Sequence, residues 1–134
     1  MHSVLVIDSD PTSAKKIVSA LTQSSFEVMV ASSESAGLKI MDKAFPDAVV
    51  VRDSSSQLNG SKLYWRIRHL FDLPLILLGD KPEEEVYPPT LETDADWDYY
   101  MHLPISYEEL AARLKVLLWR YGKGGKPGAG GGKQ

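Results

Sequence analysis

Apolar residues fall along this chain in two alternating rhythms. Ser3 to Asp8 (SVLVID) is a short β-branched run ending on an acid, the pattern of a strand buried on both faces. Pro11 follows, where a helix favours its first residue, with Asp10 placed to cap it. Ala14, Ile17, Val18 and Leu21 then recur at helical spacing. Phe26 to Ala31 reads as a second strand. Ser33 to Ala44 reads as a second helix with Ala36, Ile40 and Met41 on one side, although Gly37 is a poor helix former inside it. Asp47 to Val51 (DAVVV) is almost wholly apolar, as a central parallel strand is. A polar loop, DSSSQLNG, leads to a helix carrying Leu63, Ile67 and Leu70. Pro74 opens a fourth strand, LILLG, and Tyr99 to Leu103 reads as a fifth, ended by Pro104. The last helix is the most clearly marked. Ser106 and Glu109 spell a capping box, and Leu110, Leu114, Leu117 and Leu118 form an apolar stripe behind it.

Strands and helices thus alternate, which predicts an α/β fold: a doubly wound, five-stranded parallel sheet with right-handed crossovers. In such sheets the working site lies beyond the carboxyl ends of the strands, at the switch point. That end of the sheet collects Asp8, Ser9, Asp10, Arg52, Asp53, Gly79, Asp80, His102 and Leu103. One stretch breaks the pattern. Residues 81 to 97, KPEEEVYPPTLETDADW, contain Pro88 and Pro89, which forbid a long helix, so a loop or a short or missing fourth helix is expected. Tyr87, Trp97, Tyr99 and Tyr100 are denser here than a loop needs. They either pack over the gap left by the helix or form a partner-binding surface. Glu83, Glu84 and Glu85 read as solvated. From Gly122 the sequence is GKGGKPGAGGGKQ, a flexible Gly/Lys-rich tail or linker, so the expected division is a domain over 1–121 and a tail over 122–134.

Composition narrows the chemistry. The 134 residues suit one domain, and a hydrophobic fraction of 43% suits a packed core. The net charge of -3 supplies no basic field for nucleic acid. The chain has no cysteine, which excludes disulfides, thiol catalysis and Cys-ligated metal. MHSVLVIDSD lacks the basic start of a signal peptide, and no apolar run approaches the roughly 18 residues that would span a membrane. A cytoplasmic location without membrane contact is expected. No glycine-rich phosphate loop follows the first strand, where DSDPTS stands. His102 has no partner at metal-ligand spacing.

Four segments in order resemble the receiver domain of two-component response regulators: VLVIDSDP, FPDAVVVRD with the later NG, LPLILLGD, and YYMHLPISYEELAARLKVLLWR. The resemblance covers roughly Ser3 to Tyr121 and implies a flavodoxin-like sheet of strand order 2-1-3-4-5. In that family two acids on the first strand and an aspartate on the third hold Mg²⁺, and the aspartate accepts a phosphoryl group. A hydroxyl residue on the fourth strand and a lysine on the fifth bind the phosphoryl oxygens. Here Asp8 takes the first acidic place and Ser9 the second. Six residues on from Pro46 and eight back from Gly60 both give Arg52 at the acceptor place. Gly79 replaces the hydroxyl and Leu103 the lysine.

The pocket is therefore expected to be degenerate. Arginine is no phosphoryl acceptor here, and its fixed charge repels Mg²⁺. Arg52 is expected to pair with Asp8 or Asp10 and to stand in for the cation. Asp53 is the alternative phosphoacceptor, although strand alternation aims it at the other face; the plainer reading is a loop acid capping the serine-rich turn. Asp10 is expected to cap its helix. Only if it joined Asp8 on a weak cation site, or if Asp53 were phosphorylated, would Mg²⁺ be required; otherwise no cofactor is implied. The position of Tyr100 holds, in the family, an aromatic that changes rotamer on activation. The expected function is that of a pseudo-receiver, a non-enzymatic interaction module whose partner is a protein such as a histidine kinase or an output domain. The alternatives are a receiver phosphorylated on Asp53 and the N-terminal receiver of a winged-helix DNA-binding regulator, to which the Gly/Lys tail would be the linker.

Overall fold

The computed structural model describes residues 1–53, 58–81 and 100–122. The elements are β1 (Ser3–Ile7), α1 (Pro11–Gln23), β2 (Glu27–Ala31), α2 (Glu34–Ala44), β3 (Ala48–Arg52), α3 (Gly60–Leu70), β4 (Leu75–Gly79), β5 (Tyr100–His102) and the last helix, here α4 (Tyr107–Arg120). The expected short or missing helix over 81–97 and the tail beyond Gly122 lie outside the described residues, apart from Lys81.

Five strands form one parallel sheet in the order β2-β1-β3-β4-β5, as predicted. The apolar runs explain why. Val4 to Ile7, Ala48 to Val51 and Leu75 to Leu78 are all buried, because the central strands are covered on both faces. Helix α1 packs against α4. Right-handed crossovers place α2 and α3 on the opposite face. The chain steps from β1 outward to β2, then returns across β1 to β3. The carboxyl ends of β1 and β3 therefore flank the switch point, with Val6 beside Val50 and Ile7 beside Val51 in register.

Local signals set the helix ends. Asp10 caps α1 by accepting from the Thr12 N–H at 3.0 Å, with Pro11 as its first residue. Ser33 accepts from Ala36 N–H and Ser106 from Glu109 N–H at 3.0 Å. Asn59 caps α3 by accepting from Lys62 N–H, so that helix begins at Gly60, earlier than its apolar spacing suggests.

Three expectations change. Asp47 stands outside β3 because its carboxylate accepts from the Ser3 N–H at 2.9 Å and ties off the start of β1. Leu103 stands outside β5, although its N–H still donates to Gly79 C=O at 2.7 Å. Leu70, expected on the apolar face of α3, is 64% exposed because it sits in the final turn, past the reach of the sheet. Gly37 also gains a reason. A Cβ there would lie 2.6 Å from Ile7 Cδ1, so the glycine lets α2 press onto β1.

Candidate functional site

The switch point brings together an acid from β1 and two charged residues from the end of β3. Asp8 is the one charged residue in the buried core, at 1% exposure, among the described residues. Such a carboxylate needs partners, and it has three. Its Oδ1 accepts from the Asp10 N–H at 2.9 Å, and its Oδ2 accepts from the Ser13 hydroxyl. Arg52 Nη1 lies 3.9 Å from Oδ1. The expected ion pair is therefore with Asp8 and not with Asp10, whose carboxylate is engaged in capping α1. Ser9 Oγ is buried with no hydrogen-bond partner among the described residues. An open cleft of about 510 Å³ lies beside Arg52, lined by Lys16, Asp80, Leu103 and Tyr107 among others. Leu103 gives an apolar wall where the family places a lysine, and its peptide bond to Pro104 is cis.

Asp53 belongs to a separate cluster. Its N–H donates to Leu78 C=O at 2.8 Å, so the β3 ladder continues one residue and the side chain alternates away from that of Arg52. Its Oδ1 accepts from Gly60 N–H at 2.6 Å, and Lys81 Nζ lies 3.2 Å from its Oδ2. The Asp53 side chain is 6% exposed. Gly60 and Gly79 leave it room: a Cβ on Gly60 would come within 2.6 Å of Asp53 Cα, and one on Gly79 within 3.4 Å of its Cβ. Asp53 is thus a cap on the first turn of α3, a more distant bond than the local serine turn expected for it.

Sequence reasoning missed Lys81 and the Gly60 amide. The available signal was a lone cation two residues past β4, on the same sheet end as Asp53. Tyr100 requires a correction. It is 7% exposed and its hydroxyl donates to Lys81 C=O at 2.6 Å, so its phenol is packed inward rather than offered to a partner. Tyr87, Trp97 and Tyr99 lie outside the described residues. His102 is exposed, its ring edge-on to Tyr100 with centroids 6.4 Å apart. No three acids and histidines gather as a metal-binding group among the described residues.

No protein-family model matches the chain. Individual relatives do. The transcriptional regulatory protein AfsQ1 of Streptomyces coelicolor is 31% identical over 120 residues, covering 90% of this chain and 52% of that protein. The phosphate regulon transcriptional regulatory protein PhoB of Pseudomonas aeruginosa is 31% identical over 126 residues, covering 91% of this chain and 54% of that protein. The receiver domain of a Francisella response regulator matches with a TM-score of 0.74 at 24% identity, over 90% of this chain and 99% of that one. The chain belongs to the response-regulator receiver family. It spans about half the length of the curated relatives it matches. Receiver domains are signalling domains rather than classical enzymes. By the spacing of the family's motifs, the places of metal ligand, acceptor, hydroxyl and lysine would fall to Ser9, Arg52, Gly79 and Leu103. Among its described residues no helix is long and apolar enough to cross a membrane.

Proposed function

We propose that this receiver is a pseudo-receiver: a cytoplasmic module that signals through protein–protein contacts without being phosphorylated. The observation that carries this reading is the guanidinium of Arg52, which occupies the acceptor place and lies 3.9 Å from the buried Asp8 carboxylate. Phosphoryl transfer depends on a positioned acceptor and on cations that neutralise developing charge. Here the acceptor place already holds a fixed cation.

The residues present do not fit Mg²⁺. Both Asp8 oxygens accept hydrogen bonds from within the domain, Ser9 brings no carboxylate, and Asp10 is engaged with its helix. A guanidinium beside Asp8 opposes a second cation there. We therefore assign no cofactor and no catalytic step. The alternative acceptor, Asp53, has one oxygen on Gly60 N–H and the other beside Lys81, so both are engaged within the domain. The partner would be a protein of the signalling pathway, such as a histidine kinase or an output domain.

Incubation with acetyl phosphate and Mg²⁺, followed by intact-mass measurement, tests this directly. The unmodified mass is expected. A phosphoryl adduct lost on Asp53→Asn would overturn the reading in favour of a working receiver. A second reading addresses the longer protein. The relatives are transcriptional regulators and about twice this length, which supports a role as the receiver of a DNA-binding regulator. DNA contacts would then come from sequence beyond this domain, and the downstream reading frame decides it.

A further inference from the structure

We propose that Asp53, Lys81 and Tyr100 form a latch that ties the ends of β3, β4 and β5 together through one ion pair. The connections run through Lys81 in two ways. Its ammonium lies 3.2 Å from Asp53 Oδ2, and its backbone carbonyl accepts the Tyr100 hydroxyl at 2.6 Å. The other oxygen of Asp53 accepts from Gly60 N–H, the first residue of α3. One carboxylate thus holds a helix start and a lysine, and that lysine holds the tyrosine of β5.

The position of this lysine gives the latch its reach. Lys81 stands two residues past the end of β4, and Tyr100 is the first residue of β5. The Tyr100 bond to Lys81 therefore joins the two ends of the 18-residue stretch between them. The packing leaves little alternative for either buried group. Asp53 is 6% exposed in its side chain and Tyr100 7% overall. A Cβ on Gly79 would lie 3.3 Å from the Tyr100 hydroxyl and 3.4 Å from Asp53 Cβ, so the two groups close tightly around the glycine. A carboxylate this buried requires a charge partner. With the ammonium drawn inward, the Lys81 carbonyl is held where Tyr100 meets it. Removing the charge at either end frees Lys81 and loosens the β4–β5 end. A protein that competes for either charge would have the same effect, which makes the latch a switch independent of phosphorylation. It rests on the reading that Asp53 is not phosphorylated, since a phosphoryl group on that carboxylate would take the place of Lys81.

The test uses the full chain and three variants. Asp53→Asn removes the charge but keeps an acceptor for Gly60. Lys81→Met removes the cation at a side chain 34% exposed, where folding tolerates change. Lys81→Arg restores the cation. NMR would follow the Tyr100 ring signals and exchange of the Leu103 amide, which bonds Gly79 across β4 and β5. Asp53→Asn and Lys81→Met are expected to shift the Tyr100 ring and to speed Leu103 exchange about three- to tenfold, the equivalent of one ordinary hydrogen bond. Lys81→Arg should leave both near wild type. Unchanged Tyr100 and Leu103 signals in Lys81→Met would overturn the latch, and that variant decides alone if Asp53→Asn does not fold.

Discussion

Arg52 and Asp53 are neighbours in sequence with separate surroundings, and the pleat of a strand is the cause. Arg52 meets Asp8 of β1, and Asp53 meets Gly60 of α3 and Lys81. A charge that closes one pocket is thus placed back to back with a charge that fastens another. Truncating Arg52→Ala leaves Asp8 with its two neutral donors and no cation. The pair is partly exposed at the arginine and buried at the aspartate, so we expect a loss of about 1–2 kcal/mol, between the values for surface and buried pairs. Urea denaturation at neutral pH reads it, and no loss would remove the structural role. Arg52→Asp should cost more than Arg52→Ala, because it sets a second carboxylate against Asp8. It should also gain a rise in melting temperature with Mg²⁺ that the wild type lacks. The Arg52 position was legible because Pro46 and Gly60 frame it at two fixed distances, and its partner because β1 and β3 are adjacent in the expected sheet. Lys81 was not legible, and the packing of Tyr100 was legible only as one of two readings. Both depend on how the chain leaves β4 and re-enters at β5, which no local periodicity encodes.

Among elements, the sheet and helices follow local rules closely, and the departures are where tertiary contact prevails. Sequence propensity counts Gly37 against α2, yet its place suits glycine, since a Cβ there would push on the end of the buried Ile7 side chain. Gly37→Ala should therefore destabilise the fold by about 1–2 kcal/mol in thermal or urea unfolding, although alanine is favoured by up to about 1 kcal/mol in an unconstrained helix. A stabilised variant would show that α2 can move off β1 without cost. At the other end of that helix, Phe45 is a C-cap with φ of 49° and is 75% exposed. A bulky residue in the left-handed region is held there at a cost of about 1–2 kcal/mol, which asparagine reduces. Phe45→Asn should be neutral or raise the melting temperature despite deleting an aromatic ring, and a marked fall would mean that the ring packs in solution. The element order was readable because five apolar runs and four capped amphipathic segments follow one another. The exposure of Leu70 was not, since helical spacing carries no information on where the sheet edge lies.

At the scale of the whole molecule, the described residues keep the receiver's sheet, and charged groups at its switch point pair with one another. The sheet order, the apolar centre and the α1–α4 contact owe nothing to the functional residues. A fold can therefore keep its architecture as its acceptor site changes character. Three carboxylates near the crevice have partners within the domain: Asp8 has Arg52, Ser13 and an amide, Asp10 has α1, and Asp53 has Gly60 and Lys81. A domain built this way should hold one state with or without a phosphoryl donor. The most direct measurement is an amide NMR titration with beryllofluoride and Mg²⁺, following Asp8, Arg52, Asp53 and Gly60. No saturable shift at these residues is expected; saturable shifts centred on Asp8 and Asp53 would contradict the account.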